Sequence, residues 1–173
     1  MGNFDFLEKD PAYGMFAKSA EKAEGLCRSH PSLSALLSRK TLELAVKWVY
    51  QVEGIEVPRQ ANLQSLLHHP DFRDLMDHEP WYRLQFIVKM GNLSAHEERE
   101  ISFEQAAEAL RNLFDFLLWI DYCYGRSYEE RFFSLSRIPE AHEAVNEKRI
   151  REQARLLDCL LYTSPSPRDS TSS

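Results

Sequence analysis

The stretch SFEQAAEALRNLFDFLLWIDYCYG, residues 102–125, decides the fold. Ser102 followed three positions later by Gln105 is a capping box, in which each side chain satisfies a backbone donor that the start of a helix leaves open. Phe103, Ala106, Leu110, Leu113, Phe114, Leu117, Trp119 and Ile120 then recur on one broad apolar surface, and Gly125 stands where helices commonly stop. A helix this long with so wide an apolar face must bury it against other helices, so the spacing predicts the central element of an all-α protein.

The same periodicity recurs on the amino-terminal side. Asp10-Pro11 is an N-cap with proline at the first helical position, and Tyr13, Phe16, Ala20, Ala23 and Cys27 share one face, which predicts a helix closing near Ser29. Ser32 caps a second, with a stripe of Leu33, Leu36, Leu37, Leu44 and Trp48 and a charged set of Arg39, Lys40, Glu43 and Lys47, ending before Gly54. Asn62 caps a short helix through Leu67, and Pro70 opens a brief turn that holds Phe72 and Leu75. Pro80 opens a stronger helix, Trp81 to Met90, stopped by Gly91.

Beyond Gly125, residues 126–137 read as irregular, with Tyr128, Phe132 and Phe133 able to pack back. Pro139 to Asp158 reads as a last helix, rich in Glu and Arg, with too few apolar positions for a core element. No stretch alternates with period two over a useful length, so no sheet is expected. These elements predict an irregular antiparallel helical bundle over residues 1–135 and a projecting C-terminal linker helix over 136–158.

The carboxy-terminal text departs from this pattern. From Cys159 the chain reads Cys-Leu-Leu-Tyr-Thr-Ser-Pro-Ser-Pro-Arg-Asp with a Ser/Thr end, and the codons TGT-CTC-TTA-TAC-ACA-TCT spell its first six residues. That string resembles a sequencing adapter, so residues 159–173 are expected to be an adapter-derived, disordered addition and are set aside from the fold. The gene is then expected to run on beyond Asp158, making this chain the amino-terminal piece of a longer protein.

Composition narrows the function classes. A chain of 173 residues, 43% hydrophobic and 28% charged, has the balance of one water-soluble globular domain. Its longest apolar run, Phe116 to Ile120, is flanked by Asp115 and Asp121, which excludes a membrane-spanning helix. The acidic, mixed start is no secretory signal, and three widely spaced cysteines, Cys27, Cys123 and Cys159, suggest reduced thiols; together these predict the cytoplasm. A formal charge of −6 argues against a surface that is wholly a nucleic-acid grip and leaves room only for a local basic patch.

Chemistry-bearing motifs are few. There is no glycine-rich phosphate cradle and no dinucleotide fingerprint, so no cofactor is expected. His142-Glu143 begins like a zinc-protease helix, but Asn146 stands where the second histidine is needed, and the neighbours His68 and His69 diverge on a helix, so no metal site is expected. Trp48, Trp81 and Trp119 with Tyr50, Tyr82 and Tyr122 fall at helical spacing and read as core before they read as a base-stacking platform. Lys148, Arg149, Arg151 and Arg155, interspersed with Glu147 and Glu152, read as a solvated, salt-bridged face. One constellation remains, Lys89-Met90-Gly91-Asn92-Leu93-Ser94-Ala95-His96.

Gly91-Asn92-x-x-x-His96, preceded by an amphipathic helix and followed by a capped, aromatic-rich one, resembles the HEPN-like domain at the front of type I restriction endonuclease R subunits. Asn3 to Leu7, Arg39 to Trp48, Asn62 to Leu66, Phe72 to Asp74 and Trp119 to Gly125 are similar to that domain in the same order, so the likeness spans about residues 3 to 135. It implies a HEPN-like helical accessory domain preceding a nuclease and a DNA translocase, with ATP and magnesium needed only in those further domains. It also implies a role in DNA restriction and phage defence, with the other restriction-modification subunits or DNA as partners, or a second copy of itself.

Related HEPN domains include metal-independent ribonucleases whose motif is Arg, a polar residue, three further residues and His. In that chemistry the histidine is a general acid or base on the ribose hydroxyl and the arginine stabilises phosphate charge. Here Asn92 and His96 match, but Gly91 stands in the arginine's place, and Lys89 or Arg83 is the only substitute the preceding turns offer. The candidates are therefore His96, Asn92 and Lys89. Beside the catalytic reading stands a structural one, in which Gly91 ends the helix, Asn92 bonds nearby backbone and His96 fixes the following loop. The expected role is a non-catalytic interaction domain; a His96-centred ribonuclease or a stand-alone nucleic-acid-binding domain is the alternative.

Overall fold

The computed structural model describes residues 1–96, 99–140 and 147–162. Among them are seven α-helices and no strand: α1 (Gly14–Gly25), α2 (Pro31–Glu53), α3 (Leu63–His68), α4 (Pro70–Arg73), α5 (His78–Ser94), α6 (Phe103–Tyr124) and α7 (Glu147–Tyr162). The all-α helical bundle expected from the sequence is what forms.

Local signals set most of the boundaries. Asp10 Oδ1 accepts from the Ala12 amide at 2.9 Å, starting a 3₁₀ turn that runs into α1. The capping box at Ser102 closes, with Gln105 N donating to Ser102 Oγ at 3.1 Å, and the Asn62 cap is a capping box too, with Ser65 N donating to Asn62 Oδ1 at 2.9 Å. Gly54, at φ 70°, ends α2 in the left-handed conformation that favours glycine. Ser32 behaves differently from its reading as a cap. α2 starts two residues earlier than such a cap would place it, at Pro31, and the Ser32 hydroxyl accepts from the Ile101 amide at 2.9 Å, tying the approach to α6 back onto α2.

The central helix is α2, not α6. α2 packs against α1, α5 and α6 and also meets α3 and α7, whereas α6 keeps Glu104, Glu108 and Asp115 on an outer face. The charged set of α2 is drawn inward: Lys40 is 1% exposed and Glu43 3%. Opposite charge makes that tolerable, with Lys40 Nζ 3.6 Å and Arg39 Nε 3.7 Å from Glu43 Oε1. Lys47, further along, has its pKa lowered by burial, with Glu43 opposing the shift.

The amino terminus is part of the core. Phe4 and Phe6 meet the Phe114 ring edge-on, with centroids 6.0 and 5.7 Å away. Asn3 is buried and donates from its amide to the Glu24 carboxylate at 2.6 Å, while Ser134 N returns a 2.8 Å bond to Asn3 Oδ1. Burial raises the Glu24 pKa, and the bonds from Asn3 only partly offset it. A second lock sits at the far end of α6, where the buried Asp121 accepts from Tyr13 Oη at 2.7 Å and from Lys9 Nζ at 2.8 Å. Burial first, and then the Asp121 carboxylate, push the Tyr13 hydroxyl pKa well up.

The carboxy-terminal helix departs from its expected course. α7 does not simply project: it lies along α2, with Ile150 7% and Ala154 5% exposed. Two apolar side chains one helical turn apart suffice for one-sided docking, although their number is too small to signal a core helix in the sequence. α7 also continues through Cys159 to Tyr162, residues assigned above to a disordered tail. Cys-Leu-Leu-Tyr contains no helix breaker, so the backbone carries on. His142 and Glu143 lie outside the described residues.

Asp121→Ala is expected to lower unfolding stability by about 1–3 kcal/mol in urea titration, because it leaves the buried Tyr13 hydroxyl without its acceptor, while the exposed Lys9 keeps its bond to the Ser127 carbonyl.

Candidate functional site

α5 carries the constellation singled out in the sequence. Gln85, Lys89, Asn92 and His96 recur at helical spacing and share one side, with Val88 and Leu93 among them. Gln64 of α3 faces them, its Nε2 donating to Gln85 Oε1 at 2.9 Å. These seven residues line an open cleft of about 420 Å³. Lys89, Asn92 and His96 are all exposed, so the structure brings the three candidates into one solvent-reachable place.

Gly91 does something other than stop the helix. α5 runs on to Ser94, and Gly91 is buried inside it where α5 crosses α2. A Cβ built there would stand 3.0 Å from Arg39 Cγ and 2.8 Å from Arg39 Cδ, and nearer still to Arg39 Cβ. The last of these is the rigid root of the side chain, so it cannot swing aside. The hydrogen at this position is the room through which the Arg39 stem passes.

The guanidinium on that stem then reaches the motif from a different helix. Arg39 Nη1 donates to Asn92 Oδ1 at 2.5 Å, while Arg39 Nε lies 3.7 Å from Glu43 and the side chain is 13% exposed. Asn92 thus bonds a side chain of α2 and not the nearby backbone. Charge on the donor strengthens the bond and holds the Asn92 carboxamide in one orientation.

His96 lies just past the end of α5. Its amide donates to the Leu93 carbonyl at 3.2 Å and its carbonyl accepts from Arg99 N at 3.0 Å, so backbone bonds hold the chain at His96. At the same end Arg151 of α7 donates to the Ser94 carbonyl at 2.8 Å. Arg83, considered above as a substitute cation, does not enter this cleft. It pairs with Glu79 at 2.6 Å and lines a separate small pocket with Met76, Pro80, Asn112, Asp115, Phe116 and Trp119.

Other sequence candidates go to different places. Trp48, Trp81 and Tyr50 are buried, with Trp81 Nε1 donating to the Leu67 carbonyl at 2.8 Å and Tyr50 Oη to the Leu66 carbonyl at 2.6 Å. Tyr82 and Tyr122 are exposed on separate helices, so these six aromatics form no common platform. His68 Nδ1 bonds the Gln64 carbonyl at 2.8 Å, whereas His69 Nδ1 accepts from Asp71 N at 3.1 Å, so the two imidazoles serve different backbones. On α7, Arg155 pairs with Glu152, but Arg151 turns inward to Ser94.

Three residues of the site escaped the sequence reading. Gln85 was findable, since it precedes Lys89, Asn92 and His96 at the same helical period. Arg39 and Gln64 were not, because nothing along the chain says which α2 or α3 side chain will face α5. Comparison with protein families, curated proteins and solved structures gives no match.

Gly91→Ala is expected to cost about 1–3 kcal/mol of stability, read as a lowered urea midpoint, because the new methyl forces the α2–α5 crossing apart. An unchanged midpoint would mean that the crossing is looser than described.

Proposed function

We propose that the chain is the HEPN-like accessory domain of a type I restriction R subunit, acting in the cytoplasm as a non-catalytic interaction module that helps the subunit assemble with its partners or engage DNA. The ordered likeness over residues 3 to 135 supports the assignment to that setting. The observation that carries the non-catalytic part is the packing at Gly91. The position that bears arginine in the related ribonucleases has no space for any side chain, because the stem of Arg39 fills it. The Arg39 guanidinium is itself occupied by Asn92 and Glu43, which leaves less of it available to a phosphate.

Under this reading the cleft beside His96 presents amides and one ammonium for docking. Restriction subunits that bind the chain, with no loss of integrity of added RNA, are the expected outcome of a pull-down combined with a cleavage assay. Contact with DNA instead would appear as affinity falling steeply with added salt.

A second reading, a metal-independent ribonuclease centred on His96, draws on one specific observation. His96 and Asn92 share an open cleft, and a guanidinium bonds Asn92. In that chemistry His96 would move the ribose proton and Arg39, delivered by α2, would take the arginine's part. RNA cleavage by the purified chain, lost by about a hundredfold or more in His96→Ala and in Arg39→Ala, would replace the first reading with this one. Cleavage of equal rate in all three chains would come from a contaminant.

A further inference from the structure

Six residues of α5 and the loop after it lie on one line. His78, Tyr82, Gln85, Lys89, Asn92 and His96 follow one another at alternating steps of four and three residues, the spacing that keeps side chains on one face of a helix. The cleft holds the last four of them, and His78 and Tyr82, both exposed, carry the same line back to the start of α5. From His78 to Asn92 the line is about 21 Å long, at 1.5 Å of rise per residue. None of the six is acidic, in a chain whose formal charge is −6. Glu79 stands beside the line, but Arg83 holds it at 2.6 Å.

Three of the six have an acceptor atom taken by a side chain of α4, α3 or α2. Arg73 Nη2 lies 2.8 Å from His78 Nδ1, Gln64 Nε2 donates to Gln85 Oε1 at 2.9 Å, and Arg39 Nη1 donates to Asn92 Oδ1 at 2.5 Å. A guanidinium has no acceptor, so His78 must accept through Nδ1 and carry its hydrogen on Nε2, and Asn92 must turn its Nδ2 hydrogens away from Arg39. Both arginines are anchored as they do so. Arg73 lies over the Trp81 ring, 4.4 Å from its centroid, and the Arg39 stem passes through the space that Gly91 leaves. What these three residues keep for a ligand is donors, the His78 Nε2–H and the amide hydrogens of Gln85 and Asn92, and Lys89 adds an exposed ammonium between them.

We infer that this row of donors on α5 docks an extended, carboxylate-bearing segment of a partner protein, with Lys89 taking an acidic side chain and the Gln85 and Asn92 amides taking main-chain carbonyls. The inference rests on the docking reading proposed above and names the chemistry of the partner. A row of donors calls for a row of acceptors, which an acidic peptide supplies from its carbonyls and carboxylates. A nucleic-acid strand is a row of acceptors too, and magnitude separates the two. With a phosphate every ~3.4 Å, one strand sets about six negative charges along the 21 Å line, against the single ammonium of Lys89. One or two carboxylates match that ammonium, and six phosphates do not. Val88 and Leu93, which line the cleft beside Lys89 and Asn92, give the segment an apolar contact.

The test is chemical-shift mapping on the whole chain, titrated with a short peptide of alternating Glu and Ala, with its Gln-for-Glu counterpart, and with oligo-uridine and oligo-thymidine. The Glu peptide is expected to shift the resonances of His78, Tyr82, Gln85, Lys89 and Asn92 and to bind about tenfold tighter than its Gln counterpart. Lys89→Glu sets a like charge against the peptide. Asn92→Asp keeps an oxygen for Arg39 and replaces the amide donor with a second oxygen. Each is expected to weaken the Glu peptide by about tenfold or more, with the urea midpoint little changed. The inference is overturned by an absence of shifts along α5, by equal binding of the two peptides, or by binding that neither variant weakens. It is overturned in favour of nucleic acid if either oligonucleotide binds tighter than the Glu peptide and loses its affinity in the same two variants. A pull-down tells this failure from failure of the docking reading. Restriction subunits held equally by the unaltered chain and both variants would keep docking and take the α5 row out of it. A chain that takes the Glu peptide on α5 but holds no restriction subunit would keep the row and lose the restriction setting.

Discussion

The α2–α5 crossing is the contact on which the rest of the site depends. Two helices approach closely only where side chains are small, and here the smallest residue, Gly91, meets one of the longest, Arg39. The glycine gives up its side chain and the arginine lays its stem through the vacancy, so the crossing is close and a charge is carried to the rim of the cleft. Asn92 is bonded, α5 is kept in register with α2, and Lys89 and His96 are presented on the same side as consequences of that one fit.

Buried charge follows from the same architecture. A helix surrounded on several sides has no face left for solvent, so α2 keeps Lys40 and Glu43 inside and Arg39 nearly so. The arrangement adds little to net stability compared with apolar side chains of equal volume, but a lost partner would leave a charge stranded. Arg39, Lys40 and Glu43 stand three and four residues apart on the same helix, so α2 neutralises its own buried charge in whatever setting it packs. The locks at Asp121 and Glu24 act alike at the two ends of the molecule, joining the first residues to α6 and to the 126–138 segment.

The site is thus assembled from several helices. The α2–α5 contact at Gly91 is tight and steric, and three residues further along α5 the Ser94 carbonyl accepts from Arg151 of α7.

Much of the fold was written in local chemistry that any reader of the chain can recover. Capping boxes at Asn62 and Ser102, proline at helix starts and glycine at position 54 act over three or four residues, and their geometry does not depend on what lies elsewhere. The helical spacing of Lys89, Asn92 and His96 was equally legible, as was the absence of a side chain at Gly91. What that absence is for was decided only in three dimensions, since Arg39 lies about fifty residues earlier in the chain and reaches α5 because two helices cross. Tertiary packing likewise made α2 central, drew its charges inward, lengthened α5 past Gly91 and laid α7 against the bundle. Each of those outcomes turns on which faces meet, and a one-dimensional pattern of hydrophobic spacing says that a face must be buried without saying against what.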